Sequence, residues 1–272
     1  LMNTTFKSEM NALTHNLKSI AEYYWQYRDF TFSDLFMALT EFIARLPVYR
    51  TYINAFQNKI TREDITVIDT SLKIALENNP SVNPDLFDLI RDILTLKYPK
   101  NISESGLTSL RSFVMCLQQY TGPVMAKGLE DTTFYRFNPL VSLNEVGGHP
   151  INSHDSSDEF HKQNIFRLEH FPYSMISTST HDSKRSEDVR MRISVISELV
   201  DEWNSKLKLW SQLNESNKTK LHGESLPDKN DEYLLYQTLL GTYPLNTQTG
   251  TEASEYCGRI QHYMKKAVRE AK

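Results

Sequence analysis

The chain has 272 residues, and its 30 basic and 34 acidic side chains leave a formal charge of −4, a balance that argues against a nucleic-acid-binding domain or a polybasic membrane surface. Hydrophobic residues make up 39%, with 13 Phe, 14 Tyr and 3 Trp, enough apolar bulk for at least one substantial core and too much for compositional disorder. Cys116 and Cys257 are the only cysteines and neither has a CxxC partner, which excludes a cysteine-rich zinc site or disulfide scaffold and makes a reducing, cytoplasmic location the expectation.

The N-terminal LMNTTFKSEMN lacks the basic region and apolar run of a secretory signal, and its leading Leu points to a trimmed chain. No apolar stretch approaches the roughly 20 residues of a membrane span. Only 9 Gly occur, well below the usual ~7%, and long stretches without Gly or Pro favour helices. Leu13, Leu17, Ile20, Ala21 and Tyr24 recur at helical spacing, and Leu35, Ala38, Leu39, Phe42, Ile43 and Leu46 repeat it after a cap at Thr31 or Ser33, with Pro47 closing that helix. Thr61 and Asp64 form a variant capping box for a third helix over 61–77, ended by Asn78, Asn79 and Pro80. Leu86, Leu89, Ile90 and Ile93 predict a helix over 85–96, and Leu107, Leu110, Val114 and Leu117 another over 105–118.

From Tyr120 the texture changes to TGPVMAKGLEDTTFYRFNPLVSLNEVGGHP, a Gly- and Pro-containing stretch of the kind that forms functional loops. The β-branched run Met175-Ile176-Ser177-Thr178-Ser179-Thr180 predicts a strand, within 173–182, that ends at His181-Asp182 and leads into a helix through SEDVRMRISVISEL. That helix continues or restarts over 198–214. Residues 218–230 read as a mobile polar connector, and two last helices are expected over 231–241, stopped by Gly241, and over 252–271, with Tyr256, Ile260, Tyr263, Met264 and Ala267 on one face.

His181-Asp182 at a strand's carboxyl end is the best local candidate for chemistry; the plainer alternative is a turn in which Asp182 or Ser183 caps a helix. Lys184, Arg185, Glu187, Asp188 and Arg190 could hold sugar hydroxyls or form a solvated ion-paired face. Lys127, Glu130 and Asp131, with Tyr135, Arg136, Asn144 and Glu145 downstream, suit either a carbohydrate-binding loop or a polar connection. His149, His154, His161 and His170 with Asp155, Asp158 and Glu159 show no HExxH or other tight ligand spacing, so no metal and no cofactor is expected. GxSxG, GxxxxGK[ST] and GxGxxG are absent.

Four segments in order, RDFTFSDLFMALTEFIARLPVYRTYI, QQYTGPVMAKGLEDTTFYRFNPLVSLNEVGG, STSTHDSKRSEDVRMRISVISEL and NDEYLLYQTLLG, closely resemble the maltooligosyltrehalose synthase family of the α-amylase superfamily. The resemblance implies an intramolecular transglycosylase that converts the reducing-end α-1,4 bond of a maltooligosaccharide to an α,α-1,1 bond, on a (β/α)8 barrel, with paired carboxylates around an oxocarbenium-like transition state. By match to the superfamily's last motif, Asp182 would be the third carboxylate gripping sugar hydroxyls and His181 would hydrogen-bond the same sugar. Lys184 and Arg185 would border the pocket, and Lys127 with Glu130 would close its reducing-end side.

The strands that carry the family's nucleophile, in an RxDH-type pattern, and its general-acid Glu have no counterpart in this chain. The resemblance therefore implies an internal to C-terminal fragment, inactive alone. The fold expected is mainly α, a helical subdomain over 1–120 and a partial barrel segment over 121–272 that packs with it, with few strands. Its partners would be the maltooligosaccharide and the missing N-terminal barrel portion, with association through apolar surface exposed on the 175–180 strand; nucleic acid and membrane are not expected. A stand-alone helical glucan-binding module or a protein-interaction module is the alternative.

Overall fold

Few glycines and long apolar stripes produce a mainly α-helical chain. The computed structural model describes residues 1–151, 156–246 and 249–271, which fall into two units, Leu1–Gly128 and Leu129–Lys272.

The first unit holds α1 (Lys7–Ala21), α2 (Phe32–Ala44), α3 (Arg62–Asn78), α4 (Asp85–Leu94) and α5 (Glu104–Met125). Two of these helices begin with a full capping box in which Asp replaces the usual Glu: Thr31 with Asp34, and Thr61 with Asp64. The apolar stripes converge on Met10, Leu17, Leu35, Phe42, Ile68, Leu89, Ile90 and Phe113, all essentially buried; each such side chain contributes about 1.5–3 kcal/mol relative to exposure.

The fifth helix runs past 118, through Gly122 and Pro123, and ends in a π-helical turn, Ala126–Glu130. Tyr120, Thr121 and Val124 are buried and extend the stripe of Phe113 and Leu117, so burial outweighs the helix-breaking tendency of Gly and Pro. Gln118 on the same helix is fully enclosed: Ile53 N–H donates to its Oε1 at 2.7 Å and its Nε2 donates to the Ile53 carbonyl at 3.0 Å. The side-chain amide thus closes the buried backbone of an irregular segment as a second strand would.

The second unit contains α6 (Ser157–His170), α7 (Glu187–Ser194), α8 (Val200–Leu213), the hairpin β1 (Thr219–Leu221) and β2 (Glu224–Leu226), α9 (Lys229–Thr242) and α10 (Gly250–Ala271), preceded by short 3-10 turns. Its core gathers Tyr135, Val141, Ile193, Ile196, Trp203, Leu234, Tyr236 and Ala267. Residues 218–230, expected to be a mobile connector, instead pair as a hairpin with Thr219 opposite Leu226. His222 and Gly223 both have positive φ, 53° and 88°, as a two-residue type I′ turn requires. The helix α6, which the periodicity did not predict, buries no side chain.

The strand expected within 173–182 is not formed. Among the described residues only β1 and β2 pair as named strands, and the segment satisfies its backbone locally, with Ser174 N–H donating to the Phe171 carbonyl and Ser183 N–H to the Thr180 carbonyl. A β-branched run becomes a strand only where a neighbouring strand completes its ladder; here Met175 is 100% exposed. The mainly helical expectation holds, and the late barrel strand is withdrawn from it.

The helix α9 ends at Thr242, one residue beyond the expected stop at Gly241, and Gly241 itself is buried. A Cβ there would come 2.9 Å from both Ile193 and Val189 of α7, so the glycine sets the approach of the two helices. Gly241→Ala gains about 1 kcal/mol of helix propensity and loses about 1–3 kcal/mol to overpacking against stiff β-branched neighbours. The expected net loss of about 1 kcal/mol would be read from urea unfolding of the whole chain; an unchanged or higher midpoint would show that α7 yields.

Candidate functional site

His181 and Asp182 sit at the tip of a tight turn. Thr180 N–H donates to Ser183 Oγ at 2.8 Å and Asp182 N–H to Thr180 Oγ1 at 3.3 Å. The two side chains approach to 3.4 Å and point to solvent, 90% and 73% exposed.

The base of that turn is organised by Glu145, a residue of the stretch that the sequence offers as either a carbohydrate-binding loop or a polar connection. Its Oε1 accepts from the backbone N–H of Lys184 at 2.7 Å, and its Oε2 from that of Arg185 at 3.2 Å and from Arg190 Nη1 at 3.2 Å. Arg190 also donates to the Thr178 carbonyl. One carboxylate and one guanidinium therefore hold both limbs of the turn. Burial pushes the Glu145 pKa up, but the N–H groups of Lys184, Val146 and Arg185 and the charge of Arg190 outweigh it and hold the pKa below its ordinary value.

Glu145 is in turn placed by two buried amides. Asn144 Nδ2 donates to the carbonyls of Phe134 and Phe137 at 3.0 and 2.6 Å. Gln237 on α9 accepts from Val141 N–H at 2.9 Å and donates to the Asn138 carbonyl at 2.8 Å. The 134–145 loop, with little regular structure of its own, is fixed by these side chains.

Lys184 and Arg185 diverge. Lys184 Nζ pairs with Asp131 at 2.9 Å and lies 5.5 Å from the Tyr135 ring centre; burial lowers its pKa, yet the hydrogen bond it donates to Asp131 and the nearby negative charges, Glu130 among them, raise it overall. The Arg185 guanidinium donates to the Val141 carbonyl at 3.1 Å and to Tyr263 Oη of α10 at 2.9 Å. Glu130 follows Lys127 on the π-helical turn, with Lys127 in the first unit and Glu130 in the second. The structure thus brings His181 beside Asp182 and Lys184 near Glu130, while Arg185 is held separately by the Val141 carbonyl and Tyr263.

Among the described residues no group of three His, Cys, Asp or Glu side chains could hold a metal ion; His154 and Asp155 lie outside the described residues. None of the described helices is long and apolar enough to cross a membrane.

No protein-family model matches the chain. Two curated relatives, both described as putative maltooligosyl trehalose synthase, come from Mycobacterium tuberculosis strains CDC 1551 / Oshkosh and ATCC 25618 / H37Rv; each is 40% identical over 158 residues, 57% of this chain and 19% of the relative. The solved maltooligosyltrehalose synthase of Arthrobacter ramosus superposes with a TM-score of 0.69 at 28% identity, over 98% of this chain and 28% of that one. A hypothetical maltooligosyl trehalose synthase of Sulfolobus tokodaii gives 0.59 at 31% identity, over 96% and 31%. The chain is similar to a portion of these proteins and spans about a fifth of the curated relatives' length.

Proposed function

We propose that the chain is a portion of a maltooligosyltrehalose synthase, a cytoplasmic isomerase that converts the reducing-end α-1,4 bond of a maltooligosaccharide to an α,α-1,1 bond. The observation that carries this reading is the likeness to the synthases, 40% identity over 158 residues and superposition on the Arthrobacter ramosus enzyme over 98% of this chain; the His181-Asp182 turn, on a base that Glu145 and Arg190 hold, is the place we assign to the sugar. In this role Asp182 accepts hydrogen bonds from sugar hydroxyls and favours the distorted ring of the transition state, and His181 bonds the same sugar. Lys184 and Arg185 border the pocket, held in place by Asp131 and Tyr263, with Glu130 on its reducing-end side.

The chain alone is inactive on this reading. Retaining chemistry needs a nucleophile and a general acid about 5–5.5 Å apart, and a solvated Asp182, 73% exposed, supplies neither a second carboxyl nor a dry site. The remaining barrel of the relatives is the partner that completes it.

A reducing-end assay on maltopentaose, with the folded chain and its Asp182→Ala variant, tests both statements. The expected result is no loss of reducing ends with the chain alone, and loss once the barrel portion is co-expressed, abolished by Asp182→Ala. Loss of reducing ends by the chain alone overturns the inactivity, and a complex whose activity ignores Asp182→Ala overturns the assignment.

A further inference from the structure

We infer that the second unit carries a binding site for a small organic phosphate in the cavity bounded by the start of α7, the end of α9 and α10. The cavity encloses about 500 Å³ and is lined by Lys184, Arg185, Arg192 and Arg259 against a single acidic residue, Asp188. Lys184 is already balanced by Asp131 at 2.9 Å, so two positive charges remain in excess, on a chain whose overall charge is −4. A concave wall of one sign focuses its field on a counter-ion.

The arginines are held by neutral partners. Arg185 bonds the Val141 carbonyl and the Tyr263 hydroxyl, and Arg192 bonds the Gly241 and Tyr243 carbonyls at 3.4 and 3.1 Å. Arg259 is exposed, and among the described residues no carboxylate lies within ion-pair distance of any of the three. Carbonyl and hydroxyl acceptors orient a guanidinium without cancelling its charge, which leaves planar donors in place for a phosphate.

Hydroxyls complete the wall. Ser186, at the N-cap of α7, makes no side-chain cap bond. Thr242 donates to the Thr238 carbonyl at 2.6 Å and accepts from Tyr256 at 2.9 Å, so these two hydroxyls offer a ligand acceptor lone pairs and the donors come from the guanidinium groups and Ser186. The volume far exceeds what a phosphate group fills and lies in the ordinary range of small-molecule pockets. Val189 and Ile260 give the remainder an apolar wall against which an organic body can lie. The cavity shares Lys184 and Arg185 with the border of the sugar pocket proposed above but includes neither His181 nor Asp182, so Arg259 on α10, which the sugar reading does not use, is the residue that separates the two.

Calorimetric titration of the full chain with glucose 6-phosphate, inorganic phosphate and glucose tests it. Saturable binding of glucose 6-phosphate, at least as tight as that of phosphate and weakened by salt, is expected, with none of glucose. Arg259→Gln, an exposed change that leaves the fold intact, should weaken binding about tenfold, as loss of one charged hydrogen bond does, with partial recovery in Arg259→Lys. No saturable binding of glucose 6-phosphate, equal binding of glucose, or an affinity indifferent to Arg259→Gln overturns the site.

Discussion

Replacing Glu145 with alanine is expected to destabilise the second unit by about 3 kcal/mol, within the range for breaking a partly buried, hydrogen-bonded charge pair. The substitution strips acceptors from the Lys184 and Arg185 N–H groups and leaves Arg190 without its carboxylate. It should also speed hydrogen exchange at those two amides, because the carboxylate is their acceptor. Glu145→Gln keeps an acceptor but not the charge and should lose less.

The pH dependence follows from the direction of the shift. The Glu145 pKa is lower folded than unfolded, so its stabilisation is fully present above the ordinary carboxyl value of about 4.3 and is lost as pH falls through the folded value. The stability gap between wild type and Glu145→Ala should therefore be constant near neutrality and narrow in acid. A gap that is negligible at pH 7, or one that widens on acidification, would show that Glu145 does not hold the turn.

Gln237→Leu is expected to cost a similar amount, about 3 kcal/mol, by a different route. Leucine nearly matches glutamine in volume, so packing changes little, but Val141 N–H and the Asn138 carbonyl lose their buried partner. Leaving a buried polar group unpaired costs about 1–3 kcal/mol. The loop from 134 to 145 would loosen, and with it the Val141 carbonyl that receives Arg185. Urea unfolding of the variant reads the loss. An unchanged midpoint would mean that water reaches both groups and that the amide is dispensable.

What was legible in the sequence is what arises within a few residues. The helices α2, α3 and α4 are visible because their apolar residues recur along one stripe, and α2 and α3 also because a capping threonine sits three residues before an aspartate. The His222-Gly223 turn carried a signal that could have been used, since a glycine after a residue able to adopt positive φ is a hairpin mark. The His181-Asp182 turn was located, but as the end of a strand; the run before it has β-branched chemistry and, among the described residues, no strand pairs with it.

Other features were beyond local reading. Gln118 and Gln237 look like ordinary helical glutamines, yet each closes a segment 65 or 96 residues away. Glu145 reads as one more polar loop residue until the chain brings Lys184 and Arg185 to it, 39 and 40 positions later. Gly241 reads as a helix stop, and only the packing of α7 shows that it is also the point of close helix approach; Pro123 reads as a break until the buried stripe of α5 carries the helix past it.

The sequence by itself determined the helical class, the caps and the position of the His181-Asp182 motif, because propensity, capping and amphipathic spacing act over three or four residues. Only the tertiary structure decided which loops are rigid, which polar residue holds the candidate turn and where cations face a cavity. Those outcomes depend on pairing buried polar groups across long stretches of chain, where the energy of a hydrogen bond is set by the partner that burial supplies and not by the residue's neighbours in sequence.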